Sequence, residues 1–257
     1  MGDIQAASSR LENAPAEEVV AWGLERFGDR VALSTSFQAA GMVLLDISAR
    51  LNHRLRVFTL DTGRLPQQTY DLMAAVQQRY GIQIEVLMPE TQEVESMVTH
   101  HGADLFYEGV AKRMLCCEIR KVRPLARKLK TLDAWMSGLR RGWNEARAGI
   151  RKIEIDREHD SIVKLSPLAD WSTEQVEDYI RQHDVPRHAL YAEGYTSIGC
   201  QPCTRPIQPG EHPRAGRWWW ESDAEKECGI HFTPSGKAQR EVDFLLEELI
   251  GVQQLSS

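Results

Sequence analysis

Hydrophobic positions along the first two thirds of the chain alternate between short continuous runs and runs at helical spacing. Val31–Ser34 and residues 55–60 and 82–88 are continuous apolar runs bounded by polar residues, which predicts buried strands. Residues 39–50 carry apolar side chains at helical spacing and predict a helix between the first two strands. Further short strands are expected at Ala134–Ser137 and at residues 153–155 and 163–165.

Helix boundaries can be placed from capping residues. Asn13 followed by Pro15 predicts a helix start, and Gly28 predicts its end. Residues 171–174 form a capping signal for a helix over 173–182. The other expected helices cover 66–80, 92–101, a long amphipathic stretch from the Cys116–Cys117 pair to Lys130, and 240–250. This alternation predicts an α/β fold with a parallel sheet covered on both faces.

Composition and charge restrict the classes of partner. The chain has 257 residues, 42% of them hydrophobic, so it can bury a full core as one domain with a C-terminal extension. We expect no membrane span, because no apolar run approaches the roughly 18 residues that a span needs. A net charge of −6 argues against nucleic-acid binding. Basic residues are nonetheless concentrated in residues 112–130 and 140–152, which favours a small anionic ligand.

The five cysteines carry the most informative chemistry. Cys116, Cys117, Cys200 and Cys203 have the number and softness to hold one iron–sulfur cluster. A structural zinc site is the main alternative, since CxxC is also a zinc half-site. Two disulfides would need an oxidising compartment, and residues 1–10 are polar with no apolar signal segment, so a cytoplasmic location is expected.

The fifth cysteine, Cys228, has different surroundings. It lies near the C-terminus in a charged segment, with His231 three residues on. A thiol in polar, partly basic surroundings is typical of a nucleophile, whereas a buried inert thiol would have apolar neighbours. We therefore expect Cys228 to be the catalytic nucleophile.

Two loops that follow predicted strands are candidates for ligand binding. The first strand runs into a hydroxyl-rich turn and then a helix, which suits either a phosphate or an ordinary capped turn. The second strand ends in a polar turn, where Asp61 could bind a ribose or cap the next helix. Both turns would line one crevice at the carboxyl ends of the strands. The candidate residues are Ser34, Thr35, Ser36, Phe37, Asp61, Thr62 and Gly63.

Several motifs between residues 31 and 231 match one known family. They are STSF after the first strand, LDTG after the second, CC followed by Lys121, SGLRR, SPLADWS, GCQPCTRP and KECGIH. Together these motifs resemble the assimilatory adenylyl-sulfate reductases, the cluster-bearing branch of the phosphoadenylyl-sulfate reductase family. The resemblance implies the adenine-nucleotide α-hydrolase (PP-loop) fold, with a nucleotide-binding domain over 1–205 and a flexible catalytic tail over 206–257.

The resemblance also implies a reaction. The substrate would be adenosine 5′-phosphosulfate, reduced to sulfite and AMP through an S-sulfocysteine on Cys228, with thioredoxin or glutaredoxin as reductant and a [4Fe-4S] cluster as cofactor. Lys121, four residues after Cys117, would share that cysteine's helix face and approach both cluster and substrate. The other substrate-binding positions implied are Gly138, Arg140, Arg141, Arg147, Arg214, Arg217 and His231.

Three alternatives remain open at this stage. A phosphoadenylyl-sulfate reductase would differ only in accepting a 3′-phosphate. A PP-loop ATP pyrophosphatase would show an SGGxDS loop, which this sequence lacks. A non-catalytic iron–sulfur protein that binds nucleotides would not need the Cys228–His231 motif. Assembly of several copies of the chain is also left open.

Overall fold

The computed structural model describes residues 2–52, 54–143, 147–221 and 236–255. Its centre is a six-stranded sheet in the order β3-β2-β1-β4-β6-β5. The strands are β1 (Val31–Ser34), β2 (Val57–Leu60), β3 (Ile84–Leu87), β4 (Ala134–Ser137), β5 (Ile153–Asp156) and β6 (Ile162–Leu165). The α/β class and the six predicted strands are confirmed.

One edge of the sheet departs from the all-parallel prediction. β1 pairs in parallel with β2 and with β4, but β5 runs antiparallel to β6. The cause is the short connection between β5 and β6, which leaves no room for a crossover helix. Asp160 and Ser161 in this connection take φ values of +53° and +59°, so the chain reverses in a tight turn.

Helices flank the sheet, and several bounds match the prediction within a residue or two. They are α1 (Gly2–Leu11), α2 (Ala16–Phe27), α3 (Ala39–Leu51), α4 (Gln67–Tyr80), α5 (Thr91–His101), α6 (Val110–Cys117), α7 (Arg123–Leu129), α8 (Thr173–His183) and α9 (Gly236–Leu255). No helix in the described part of the chain is both long and apolar enough to cross a membrane.

Alternate residues of each strand enter two separate hydrophobic clusters. Leu33 and Met136 pack with α2 and α3 on one face of the sheet. Ala32, Phe58 and Trp135 point to the other face and pack with residues of α7. Because successive strand residues face opposite sides, this division shows that both faces are covered, as predicted.

Two helical segments differ from the prediction. The polar segment Gly2–Leu11 forms a helix that the sequence analysis did not anticipate, and it docks by burying Ala7 and Leu11. The long helix expected around the cysteine pair is interrupted by a π-helical turn at Glu118–Val122. Pro124, at the start of α7, fits this interruption because proline is tolerated only in a first helical turn.

A buried carboxylate connects α3 to two other helices. The Asp46 side chain is 1% exposed and accepts hydrogen bonds from the hydroxyls of Tyr80 (2.9 Å) and Tyr179 (2.8 Å). Arg50 Nε lies 2.7 Å from the same carboxylate. Burial, followed by the hydrogen bond to Asp46, raises the pKa of both tyrosines, so the hydroxyls remain donors at ordinary pH.

We predict that Asp46→Ala lowers the free energy of unfolding by about 2–4 kcal/mol, because two buried hydroxyls lose their acceptor. Urea unfolding followed by circular dichroism measures this change. The control is Asp71→Ala, which removes an exposed carboxylate of α4 that accepts a hydrogen bond from the Gln67 side chain and should change stability by less than about 0.5 kcal/mol. Equal stability of the two variants would contradict the prediction.

Candidate functional site

A cavity of about 250 Å³ lies at the carboxyl ends of the central strands. β1 and β4 are neighbours there, and the chain leaves them toward opposite edges of the sheet. This is the topological switch point at which open α/β sheets bind ligands. The polar lining comes from Ser34, Thr35, Ser36, Gln38, Thr59, Thr62, Lys121, Ser137, Arg140, Arg147, Tyr191, Arg214 and Arg217.

The turn after β1 forms one wall of this cavity. The hydroxyl of Thr35 accepts a hydrogen bond from the backbone N–H of Phe37 (3.0 Å), and Phe37 takes a left-handed φ of +58°. Phe37 is fully buried and does not line the cavity, so its role is to fix the turn. The first residues of α3 line the wall, which places the positive end of a helix dipole at the cavity.

Gly138 allows the turns after β1 and β4 to approach closely. A Cβ atom at this position would lie 2.7 Å from the backbone nitrogen of Gly41 and 2.9 Å from the carbonyl carbon of Ala40. Any other residue would therefore push the loop after β4 away from the start of α3. The predicted site residue Gly138 does line the cavity.

The residues of the turn after β2 have two different roles: one lines the cavity, and the others hold the shape of the turn. Thr62 lines the cavity, whereas Asp61 and Gly63 do not. The Asp61 carboxylate accepts hydrogen bonds from the backbone N–H of Gly63 (2.8 Å) and from the hydroxyl of Tyr70 (3.0 Å). Asp61 therefore holds the turn and the Tyr70 side chain; it does not cap α4, whose N-cap residue is Pro66 without a side-chain hydrogen bond.

Cationic side chains dominate the cavity. Lys121, Arg140, Arg214 and Arg217 are buried, and Arg147 is half-buried. Burial lowers the pKa of Arg140. The fifth predicted arginine, Arg141, lies elsewhere: it forms an ion pair with Glu12 and does not line the cavity. A cavity with this lining suits a multiply charged anion.

The four predicted cluster cysteines line a second, smaller cavity next to the first. Cys116 and Cys117 end α6, and Cys200 and Cys203 flank a short helical turn. Basic residues complete this cavity: Arg64, Arg113, Arg120 and Lys121. Within the described ranges, no group of three or more His, Cys, Asp or Glu side chains is placed to hold a metal ion.

Two residues connect the cavities. Lys121 lines both of them, as expected from its position after the cysteine pair. The Thr62 hydroxyl lies 3.2 Å from the Cys200 sulfur, and Thr62 also lines the larger cavity. Lys121 lies in the π-helical turn that directly follows the helix ending in the cysteine pair.

The cysteines differ in how readily they ionise. Burial raises the pKa of Cys116, and it raises that of Cys203 to about 12. Burial also acts on Cys200, but the charge of Lys121 and the hydroxyl of Thr62 outweigh it and lower the pKa of Cys200. Positive charge from Lys121 thus favours a thiolate at the centre of the cysteine group.

The segment that ends at Glu221 is bound to α6, the helix that ends in the cysteine pair and is called the cysteine helix below. Arg113, one turn before the cysteine pair, forms a buried two-bond ion pair with Glu221 (2.8 and 3.1 Å). The Trp218 ring is fully buried, and the guanidinium groups of Arg113 and Arg217 lie 4.5 and 4.8 Å from its centre. Trp218 therefore joins the cysteine helix to a cationic residue of the larger cavity.

Cys228 and His231 lie outside the described residues, whereas residues 206–221 and 236–255 of the expected tail are described. Other lining residues were missed by the sequence analysis. Tyr191 accepts a hydrogen bond from the Ala39 backbone N–H (3.0 Å), and Gln38 accepts one from Ile198 (3.0 Å). Ser137 could have been identified, because it ends a predicted strand beside the switch point.

Comparison with known proteins identifies the family. The model of the phosphoadenosine phosphosulfate reductase domain matches residues 30–206. The adenosine 5′-phosphosulfate reductase of Allochromatium vinosum is 45% identical over 203 residues, covering 79% of each chain. The chloroplastic 5′-adenylylsulfate reductase 3 of Arabidopsis thaliana is 41% identical over 237 residues, which cover 89% of this chain and 51% of the plant protein.

Solved structures agree with this assignment. The phosphoadenylyl-sulfate reductase of Candida auris superposes with a TM-score of 0.68 at 28% identity, covering 79% of this chain and 96% of that one. The FMN adenylyltransferase of Candida glabrata, at 14% identity and a TM-score of 0.53, shares the fold alone over 94% of this chain and 84% of its own. The chain belongs to the phosphoadenosine phosphosulfate reductase family.

Proposed function

We propose that this protein is an assimilatory adenylyl-sulfate reductase, which converts adenosine 5′-phosphosulfate to sulfite and AMP. The observation that carries the proposal is the contact between two cavities: a cation-lined cavity at the switch point adjoins a four-cysteine cavity, and Lys121 lines both. The names of the similar bacterial and plant proteins support the same reaction.

The larger cavity has the donors that a nucleotide phosphosulfate requires. The hydroxyls of Ser34, Thr35 and Ser36 and the start of α3 can receive a phosphate. Lys121, with the buried Arg214 and Arg217, would neutralise the phosphosulfate end. Arg140 and Arg147, which also line the cavity, would add to this set. His231 would take the same role, as the family resemblance implies.

The four thiols and the basic residues of the smaller cavity are the donor set that a [4Fe-4S] cluster would take. Cys116, Cys117, Cys200 and Cys203 would hold it, and a four-iron cube spreads its thiolates further apart than a single ion does. The basic residues around the cavity match the negative charge of a cluster with four thiolate ligands. When bound, the cluster would crosslink the cysteine loops and tune the local electrostatic field.

The first step is nucleophilic attack by Cys228. Its thiolate attacks the sulfur of the phosphosulfate, an S–S bond forms, and the S–O bond breaks with AMP as the leaving group. Lys121 and the arginines would hold the departing phosphate and the three sulfate oxygens in line with the thiolate. The product on the protein is an S-sulfocysteine.

The second step releases sulfite. A thiol of thioredoxin or glutaredoxin attacks the Cys228 sulfur, and the S–S electron pair leaves with sulfite. The second thiol of the dithiol then resolves the mixed disulfide, which returns Cys228 to its reduced form. Sulfur gains two electrons and the dithiol loses two. A reducing compartment such as the cytoplasm suits this exchange.

In this proposal, two segments of the chain have different roles. Residues 1–205 supply most of the nucleotide cavity and all four cysteines of the cysteine cavity, and residues 206–257 add Arg214 and Arg217 and bring Cys228. The ion pair between Arg113 and Glu221 supports this division, because it fixes the base of the C-terminal segment beside the cysteine helix.

We expect purified protein, prepared without oxygen, to contain about four irons per chain and to show a broad visible absorbance. Cys→Ser at Cys116, Cys117, Cys200 or Cys203 should lose iron and activity together, because each removes one thiolate ligand. Elemental analysis of wild type and variants measures this. One zinc per chain with no iron would overturn the cluster assignment.

Replacing the proposed nucleophile should separate catalysis from the other functions. Cys228→Ser should keep its iron and bind AMP like wild type, yet release no sulfite, because a serine hydroxyl is far harder to ionise than a thiol. Wild-type protein given substrate without reductant should gain the mass of one SO₃ group on Cys228, and thioredoxin should remove it. An adduct on another cysteine, or turnover by the serine variant, would refute this mechanism.

Substrate preference tests the closest alternative, a phosphoadenylyl-sulfate reductase. We expect kcat/KM to be higher for adenosine 5′-phosphosulfate than for its 3′-phosphorylated form, as the cluster-bearing branch implies. Both substrates are assayed with the same reduced thioredoxin, and sulfite is measured. A clear advantage for the 3′-phosphorylated substrate would favour the alternative.

A further inference from the structure

One carboxylate outside the cavity binds both flanks of the segment that supplies Arg147 to its wall. Glu12 forms an ion pair with the Arg141 guanidinium at the start of that segment. At its end, Arg151 Nε and the backbone N–H of Lys152 donate to the other Glu12 oxygen, at 3.3 and 3.4 Å. The Glu12 carboxylate therefore links Arg141 to Arg151 and Lys152, which lie on either side of Arg147 in the sequence.

The N-terminal helix places Glu12 in this position. α1 packs along the edge strand β5, where the buried Ser8 hydroxyl donates to the Ile153 carbonyl (2.6 Å). Just beyond α1, the Lys152 ammonium donates to the Ala14 carbonyl (2.6 Å). All of these N-terminal residues precede residue 30, where the match to the family domain begins.

The Glu12 contact bears on the cavity through neighbouring residues. Arg141 is held on the outside by Glu12, by its own Nε bond to the Ile150 carbonyl (2.6 Å) and by its backbone bond to Ala169 (2.8 Å). Arg140, the preceding residue, lines the cavity. At the other end, the Ile150 backbone N–H donates to the Arg147 carbonyl (3.1 Å), which links Arg147 to the same anchored residues.

We infer that Glu12 is a positioning residue for anion binding, acting on Arg140 and Arg147 through Arg141 and Arg151. The inference rests on the proposed function, because it assumes that the cavity binds an anionic nucleotide. The Glu12 side chain is 21% exposed, so solvent screens its charge less than that of a surface carboxylate. Three donors on one carboxylate also restrain the loop more than a single ion pair does.

The test measures AMP affinity by calorimetry in four variants of the full chain. Glu12→Gln should bind AMP about fivefold more weakly, the size expected of coupling through intervening residues. Arg141→Gln should weaken binding similarly, because it removes the other end of the link. The double variant should lose less affinity than the two single losses multiplied together, since both changes break the Glu12–Arg141 ion pair.

Ser8→Ala is the matched control. It loosens α1 from the edge strand without touching the carboxylate, so it should lower Tm while leaving the Kd for AMP unchanged. In steady-state assays with adenosine 5′-phosphosulfate, Glu12→Gln should raise KM more than it lowers kcat. A loss of stability alone would not produce that separation.

Affinity measurements on these variants can overturn either the inference about Glu12 or the proposed function. Wild-type affinity in Glu12→Gln, or an equal loss of affinity in Ser8→Ala, would show that the carboxylate only stabilises the fold and would overturn the inference. If Glu12→Gln does not fold, wild-type affinity in Arg141→Gln would overturn it in the same way. Failure of the wild-type protein itself to bind AMP would instead refute the proposed function, and the inference with it.

Discussion

Four buried cationic side chains share the wall of one cavity, where they repel one another and lose contact with water. The start of α3 adds further positive potential at the same place. Such an arrangement needs a scaffold that is stable without it, and the doubly covered sheet supplies that scaffold. It also needs local compensation: the Trp218 ring lies beside Arg214 and Arg217, and the Trp171 carbonyl accepts a hydrogen bond from Arg140. The four cations are Lys121, Arg140, Arg214 and Arg217.

The regular part of the fold could be predicted because local patterns and tertiary structure agree there. Val31–Ser34 and Ala134–Ser137 are short apolar runs, and they form central strands. The antiparallel edge was missed because its turn uses Asp160 and Ser161 with positive φ, where glycine or asparagine would have signalled a hairpin. The π-helical turn was missed because helical spacing gives no sign of one extra residue in a turn.

The sequence predicted which loops form the site, but not always which residue of a loop lines the cavity. The turn after β2 was correctly placed at the cavity, yet Thr62 lines it and Asp61 bonds within the turn. Arg140 and Arg141 are adjacent and chemically identical, and their tertiary partners separate their roles: Arg141 pairs with Glu12 and the Ile150 carbonyl, whereas Arg140 lines the cavity. Tyr191 comes from a distant segment whose sequence carries no sign of its contact with Ala39. Such choices depend on tertiary neighbours.

The Arg113–Glu221 ion pair has a consequence for reaction kinetics. Cys228 is the seventh residue after Glu221, so it stays within about 25 Å of a fixed point beside the cysteine cavity, since an extended chain spans at most about 3.6 Å per residue. A group on so short a tether has a local concentration on the order of millimolar. In the proposed mechanism, capture of bound substrate by Cys228 would then be an intramolecular event whose rate does not depend on protein concentration. Inserting residues after Glu221 would dilute the thiol only gradually, because the entropy of loop closure varies slowly with length.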